Sequence, residues 1–418
     1  MGGGSCGGSV LVDDVLPRQS YFLRNYCNYA AACSDAPPLY HIGVGLTILS
    51  AAVARRVVCP WMAGRSLMPN LYTLLVGPSR SSRKTGSMDI GIDLLQAADT
   101  QLVCPIPGSY EEMIAQVRRR PEGLFIYREF AHLLKTTQKG YGEPIRTILM
   151  DLYDWPPHRP YIRNLKKGST VIDAPICISM LGGIATDLLY RYCDLEEWTG
   201  GFFARMLMLY GEREECRLPL TWPAAHNHLT TALHGMMQWQ IPPCGGFAPD
   251  AWTQLEEWTI WQDKKTDELP ARVRHFAAGM TTMAAKIALL YAVDSGEPQA
   301  GPGWQISCDT LQRAIWFVHG PYQASVVRLG EKLTIGFWEQ DRQRVLDGID
   351  SEPRGILRYQ LIRMVKMDLE LFERILNSLK EEKLILQQQH PHGLGVMYRR
   401  MTETEARAQR AAPTTPTV

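Results

Sequence analysis

The chain has 418 residues, 45% apolar and 21% charged, and its 44 basic and 43 acidic side chains leave a formal charge of +1. That length holds two or three domains around a core able to fold unaided, and the composition is that of a globular protein. Charge balance excludes a global positive field, so a nucleic-acid partner would have to be held by local basic patches. The ten cysteines, from Cys6 to Cys308, contain no C-x-x-C pair, which points to reduced thiols in a cytoplasmic protein.

In chain order, residues 1–14 open on MGGGSCGGS, which has no patterning and is expected to be disordered. Residues 15–69 read as a helical region. Tyr21, Phe22, Tyr26 and Tyr29 recur at helical spacing, and Ala36-Pro37-Pro38 then breaks the chain. Residues 42–54 are the most apolar stretch, but Arg55 and Arg56 end it short of a membrane span, so it reads as a buried helix. From Asn70 the pattern changes. Short apolar runs at 71–76, 123–127, 174–181 and 206–210 alternate with amphipathic stretches, which predicts an α/β core over 70–228 with buried central strands. Helical spacing returns at 229–335, read as a helical lid. Residues 336–402 predict helices at 342–346, 356–364 and 368–380, followed by strands at 384–388 and 396–399. That is winged-helix order, with Arg358, Arg363, Lys366 and Arg374 available to DNA or to a protein partner. The tail 403–418 is expected to be flexible.

The residues with the most chemistry follow the first apolar run. Gly77-Pro78-Ser79-Arg80-Ser81-Ser82-Arg83-Lys84-Thr85 is a small-residue loop between a buried strand and a helix that opens with Lys-Thr. Triphosphate binding needs such a loop: backbone N–H groups and the helix N-terminus hold phosphates, Lys84 reaches the β/γ oxygens and Thr85 ligates Mg²⁺. Gly77, Ser79, Ser82 and Arg83 line the expected ATP site. The loop is one residue longer than G-x-x-x-x-G-K-[ST] and has Arg83 in place of the second glycine. Some forty residues on, an apolar run ends in Tyr127-Arg128-Glu129-Phe130, the place of a Walker B acid pair. Glu129 is the expected general base, while Arg128 stands where an aspartate would complete the Mg²⁺ shell.

The series G-P-S-x-x-x-R-K-T, P-x-S-x-E at 107–111, G-L-x-I-x-x-E-F at 123–130, P-x-x-x-S-x-L-G-G-I at 175–184 and G-F-x-x-R at 201–205 resembles an uncharacterised family of P-loop helicase-like proteins. These are of the AAA+/superfamily 3 type, occur in phages, plasmids and integrated elements, and often lie beside or fused to primases. The resemblance spans residues 16–333. It implies Lys84 and Thr85 on phosphate and Mg²⁺, Glu129 in catalysis, Ser179 as a strand-end sensor of the γ-phosphate, and Arg205 as a finger from a neighbouring subunit. A trans arginine in turn implies a homo-oligomeric ring. The stretch 157–172 reads as a hairpin with a basic tip. In such rings a hairpin at this chain position enters the pore, so Arg163, Lys166 and Lys167 are expected on the nucleic-acid backbone. The expectation is an ATP-driven motor on single-stranded or replicating DNA, with priming left to a primase or other partner. The alternative is a weakly or non-hydrolysing ATP-gated scaffold on DNA, as in a defence or transposition system.

Overall fold

The computed structural model describes residues 12–137, 143–165, 168–193, 198–213, 225–270, 273–367, 369–391, 393 and 395–401. Lys166, Lys167, the expected flexible tail 403–418 and residues 1–11 of the expected disordered start 1–14 lie outside them, while Val12–Val15 form a short helix. The chain divides into two compact units, Met1–Glu331 and Lys332–Val418. The helical regions expected on either side of the α/β core belong to the same unit as the sheet.

The first unit is built on five parallel strands, β1 (Tyr72–Gly77), β2 (Val103–Cys104), β3 (Glu122–Tyr127), β6 (Cys177–Ala185) and β7 (Met206–Tyr210). Their order across the sheet is β2-β3-β6-β1-β7, a mixed α/β arrangement compatible with a Rossmann- or P-loop-like core. β1 is buried along its whole length, as expected of a strand covered on both faces, which reads as a continuous apolar run rather than an alternating one. Registers are unbroken: Tyr72 to Gly77 pair with Met180 to Ala185 on one side, and Tyr72 to Val76 with Met206 to Tyr210 on the other.

Before the sheet come α1 (Leu23–Cys33) and α2 (Pro38–Val53). Every residue of α2 after Pro38 is buried, because the helix lies between the sheet, α1 and two later helices, α3 (Lys84–Ala98) and α6 (His226–Gln238). Gly43 makes that close approach possible: a Cβ there would sit 2.3 Å from Leu209 Cδ1. Two hydroxyl pairs tie α2 to the strands, Thr47 Oγ1 donating to Thr73 Oγ1 at 2.6 Å and Ser50 with Ser179 at 2.6 Å.

Between β2 and β3 runs α4 (Tyr110–Arg119). Its Ser109 cap accepts from Glu112 N, and Glu112 Oε2 accepts from the N–H of Gly108, one residue before the cap. Arg118 and Arg119 close the last turn, where positive charge suits the helix dipole. α5 (Glu143–Asp154) leads into the antiparallel hairpin β4 (Tyr161–Leu165) and β5 (Gly168–Ile172), as the sequence predicts. α7 (Arg274–Ser295) is long and apolar enough to cross a membrane by composition, and most of its apolar stretch is buried within the unit.

The second unit begins in the later part of α8 (Gln323–Asp350). It continues through β8 (Ile356–Leu357), α9 (Arg358–Val365), α10 (Leu369–Glu381), β9 (Ile385–Gln389) and β10 (Val396–Arg400). The strands form an antiparallel sheet in the order β8-β10-β9. Its core joins Val345, Leu361, Phe372, Ile375, Leu379 and Tyr398. Arg358 pairs with Glu373, and Arg374 lies 5.8 Å from the Trp338 ring centroid, so two of the four expected contact residues have partners within the unit.

Candidate functional site

β1 delivers the chain to the carboxyl edge of the sheet at Gly77, and the loop 78–83 returns it into α3. Gly77 is required by space, not by backbone angle. A Cβ there would lie 2.3 Å from Gly211 O, 2.4 Å from Tyr40 Oη and 3.0 Å from Ser82 Cβ. Tyr40 closes this corner from α2, its hydroxyl 2.7 Å from Val76 O and 2.8 Å from Gly211 O. Ser82 is buried and donates to Pro78 O at 2.9 Å, which folds the loop on itself. Ser79, Arg80 and Ser81 form its exposed rim.

Lys84 is the first residue of α3. Its Nζ donates to Gly77 O (2.9 Å), Pro78 O (2.9 Å) and Ser82 Oγ (2.8 Å), three acceptors for the three N–H groups of an ammonium. Burial pushes this ammonium down to about 8, against the pull of the Asp187 and Glu129 carboxylates, which favour its charged form. A bound phosphate would have to take over hydrogen bonds that the loop carbonyls now accept.

Arg83 takes the place of the motif's second glycine and adopts the left-handed conformation, φ 56° and ψ 25°, which costs a side-chain-bearing residue about 1 kcal/mol. An ion pair offsets that cost: Arg83 Nε donates to Asp35 Oδ1 at 3.1 Å, and Arg213 Nη1 to Asp35 Oδ2 at 3.0 Å. Asp35, 1% exposed, thereby links the loop to the chain just after β7. Neither Asp35 nor Arg213 stood out in the sequence, because their pairing spans 178 positions.

Across the crevice, β3 ends at Tyr127, and Arg128 and Glu129 are both exposed at its carboxyl end. Arg128 grips Asp89 of α3, with Nε and Nη2 donating to Oδ1 at 2.9 and 2.7 Å. The Arg128 carbonyl and Lys84 Cβ flank one glycine of the strand between them, 3.4 and 3.8 Å from where a Cβ of Gly183 would be. A cleft of about 440 Å³ runs beside Glu129, lined by Pro107, Gly108, Tyr127, His132 and Thr136.

Thus the loop of Gly77, Ser82, Arg83, Lys84 and Thr85 and the strand end at Glu129 lie at the carboxyl edge of one sheet, and the Glu129 carboxylate acts on the Lys84 ammonium. Ser179 does not join them. It is the third residue of β6, not its end, and six residues short of Ala185, which lies opposite Gly77, about 20 Å along the strand. Its hydroxyl serves packing, 2.6 Å from Ser50 Oγ and accepting from Leu71 N at 3.3 Å. The polar residues at the end of β6 are Thr186 and Asp187. Thr186 Oγ1 is buried and, among the described residues, has no hydrogen-bond partner. The apolar run read as 174–181 extends through Gly182-Gly183-Ile184-Ala185, so Ser179 lies within the strand and not at its end.

Arg205 also lies at the far edge. It precedes Met206, the partner of Tyr72 at the start of β1, about 17 Å along the strand from Gly77. It pairs with Asp154 at 2.7 Å and donates to Gly201 O at 2.8 Å. Arg163 shares that edge, pairing with Asp151 of the same α5 at 3.1 Å.

Of the Mg²⁺ donors expected from the chain, the Thr85 hydroxyl is present and the second acid is not; Mg²⁺ takes its remaining oxygens from water and phosphate. Thr85 is exposed at the second position of α3 as expected, but a guanidinium fixed on Asp89 holds the place of the completing aspartate. Among the described residues, no group of three or more His, Cys, Asp or Glu could hold a metal ion. Around the N-terminus of α3, which favours an anion, stand Arg80, Arg83, Lys84 and Arg128; Asp35 pairs with Arg83, Asp89 with Arg128, and the Asp187 and Glu129 carboxylates act on Lys84. No protein-family model matches the chain, and no curated protein matches it by sequence.

Proposed function

We propose that the chain is an ATP-binding protein of the P-loop, helicase-like class that acts on DNA in the replication of a mobile element. The observation that carries this reading is the sheet order. The strand bearing the Lys84 loop and the strand ending in Glu129 flank a common neighbour, β6, which brings both to the carboxyl edge of one parallel sheet. Strands lie about 4.8 Å apart, so the loop and Glu129 face each other across about 10 Å at the carboxyl ends of the sheet. The order reverses there, β1 leading towards β2 on one side and β6 to β7 on the other, and open α/β sheets bind ligands at such switch points.

In this reading the Gly77–Thr85 segment and the N-terminus of α3 cradle the phosphates, Lys84 moves from the loop carbonyls onto them, and Glu129 orients a water. Thr186 at the end of β6 takes the polar position first assigned to Ser179. Arg205 is too far from its own loop to serve it, so a role in the site belongs to a neighbouring subunit of a ring. The β4–β5 hairpin, with Ile162 and Val171 exposed on it, is the DNA-contacting element, through Arg163, Lys166 and Lys167. The three helices and antiparallel sheet of the second unit follow the order of a winged helix, a second contact for DNA or protein.

The Arg128–Asp89 pair favours a second form of the same reading, an ATP-gated DNA-binding scaffold with slow or no turnover. One experiment separates the two: ATP hydrolysis with and without single-stranded DNA, in wild type, Lys84→Ala and Glu129→Gln. DNA-stimulated turnover lost in both variants supports the motor. Binding that depends on Lys84, without turnover, supports the scaffold, and absence of ATP binding refutes both.

A further inference from the structure

Arg128 stands where the class expects an acid, and its surroundings give it a different task. Asp89, which holds its guanidinium through Nε and Nη2, follows Thr85 by four residues on α3. Residues so spaced lie on one helix face with Cβ atoms about 6 Å apart. The guanidinium is therefore held by a side chain one helical turn from the hydroxyl that would ligate a metal, and the backbone carbonyl of Arg128 shares Gly183 with Lys84 Cβ as a neighbour. A divalent cation placed there would meet the Arg128–Asp89 ion pair in place of a free carboxylate.

We propose that the Arg128 guanidinium is the resident counter-cation of the phosphate site, so that the chain binds a nucleoside triphosphate without a divalent metal ion. The proposal rests on the nucleotide-binding reading of the loop and narrows it. A guanidinium supplies the ground-state half of what a metal supplies to a triphosphate: positive charge and a planar fork matched to two phosphate oxygens. Asp89 Oδ1 takes only Nε and one Nη2 donor of the five N–H groups, and the remaining donors meet no other acceptor among the described residues. The pair is also accessible, with side-chain exposures of 52% for Arg128 and 41% for Asp89. Asp89 is then a positioning residue, which holds the fork beside the loop and keeps an empty site from accumulating unpaired cations.

The test is calorimetric titration of ATP into the full chain, once with Mg²⁺ and once with excess EDTA, for wild type, Arg128→Asp and Arg128→Gln. Wild type is expected to bind with affinities within about threefold in the two media, and Arg128→Asp about tenfold or more weaker in EDTA with recovery in Mg²⁺. Arg128→Gln restores no acid and is expected to weaken in both media; it serves as the readout if thermal melting shows Arg128→Asp to be unfolded. Wild-type binding that falls about tenfold or more in EDTA overturns the proposal while leaving nucleotide binding intact. Wild type inert in both media overturns the proposal together with the nucleotide reading beneath it.

Discussion

Lys84 provides a quantitative test of the site, because its ammonium titrates within reach of ordinary buffers. Burial brings it down to about 8 despite the Asp187 and Glu129 carboxylates. Below that pH the group is charged and attracts phosphate; above it the amine is neutral and the attraction is lost. If bound phosphate keeps the lysine protonated, the apparent Kd scales as one plus the ratio of neutral to charged lysine in the free protein. Between about pH 7.5 and about pH 9 that predicts a weakening of about eightfold, or about 1.2 kcal/mol. The assay is titration of a fluorescent ATP analogue across this range. Lys84→Arg carries a charge that does not titrate there and should flatten the profile. Asp187→Asn and Glu129→Gln each remove a carboxylate that supports the charged form, so their curves should fall at lower pH than wild type. A flat wild-type profile, or the same fall in Lys84→Arg, would refute the assignment of Lys84 as the phosphate-contacting cation.

Gly77→Ala should lower stability by about 1–3 kcal/mol, since its Cβ would meet the Gly211 carbonyl and the Tyr40 hydroxyl at 2.3 and 2.4 Å; thermal melting checks this, and an unchanged midpoint contradicts the packing. Lys286 is buried on Met68 O, Asn70 O and Asn70 Oδ1, 4.1 Å from the Tyr153 ring centroid, and burial pushes its ammonium down to about 8. A base whose folded pKa lies below its unfolded value destabilises the fold while charged, so stability should rise from about pH 8 to about pH 10, by about 2 kcal/mol. Urea unfolding at the two ends measures it, and Lys286→Met should remove most of that slope. Arg205→Ala should leave nucleotide binding by the isolated chain unchanged and lower turnover only where subunits assemble. Loss of binding in the monomer would show that the residue supports the fold through Asp154 instead.

How much could be read without the structure depended on the range of the interactions. The buried strands 71–76, 123–127 and 206–210, the helix over 42–54, the basic-tipped hairpin and the element order of the second unit all rest on local signals: apolar runs, periodicity and turn residues within a dozen positions. The phosphate-type loop was legible for the same reason, since a strand, a small-residue turn and Lys-Thr at a helix start are contiguous. Ser179, expected at a strand end from the resemblance, lies within the strand, because apolar periodicity does not mark where a buried strand ends. Gly182 and Gly183 interrupt the run, yet the pairing with β1 carries the strand on to Ala185.

Neighbouring residues alone specify a buried apolar strand, a small-residue loop and a helix that opens on Lys84, because each step is local. Which groups surround that loop was decided only by tertiary packing. Asp35 bridging Arg83 and Arg213, Tyr40 closing the strand corner and Arg128 locked on Asp89 join positions from 36 to 178 residues apart. No local pattern encodes such pairs; they exist because the sheet brings distant strand ends to one edge and burial requires their polar groups to find partners.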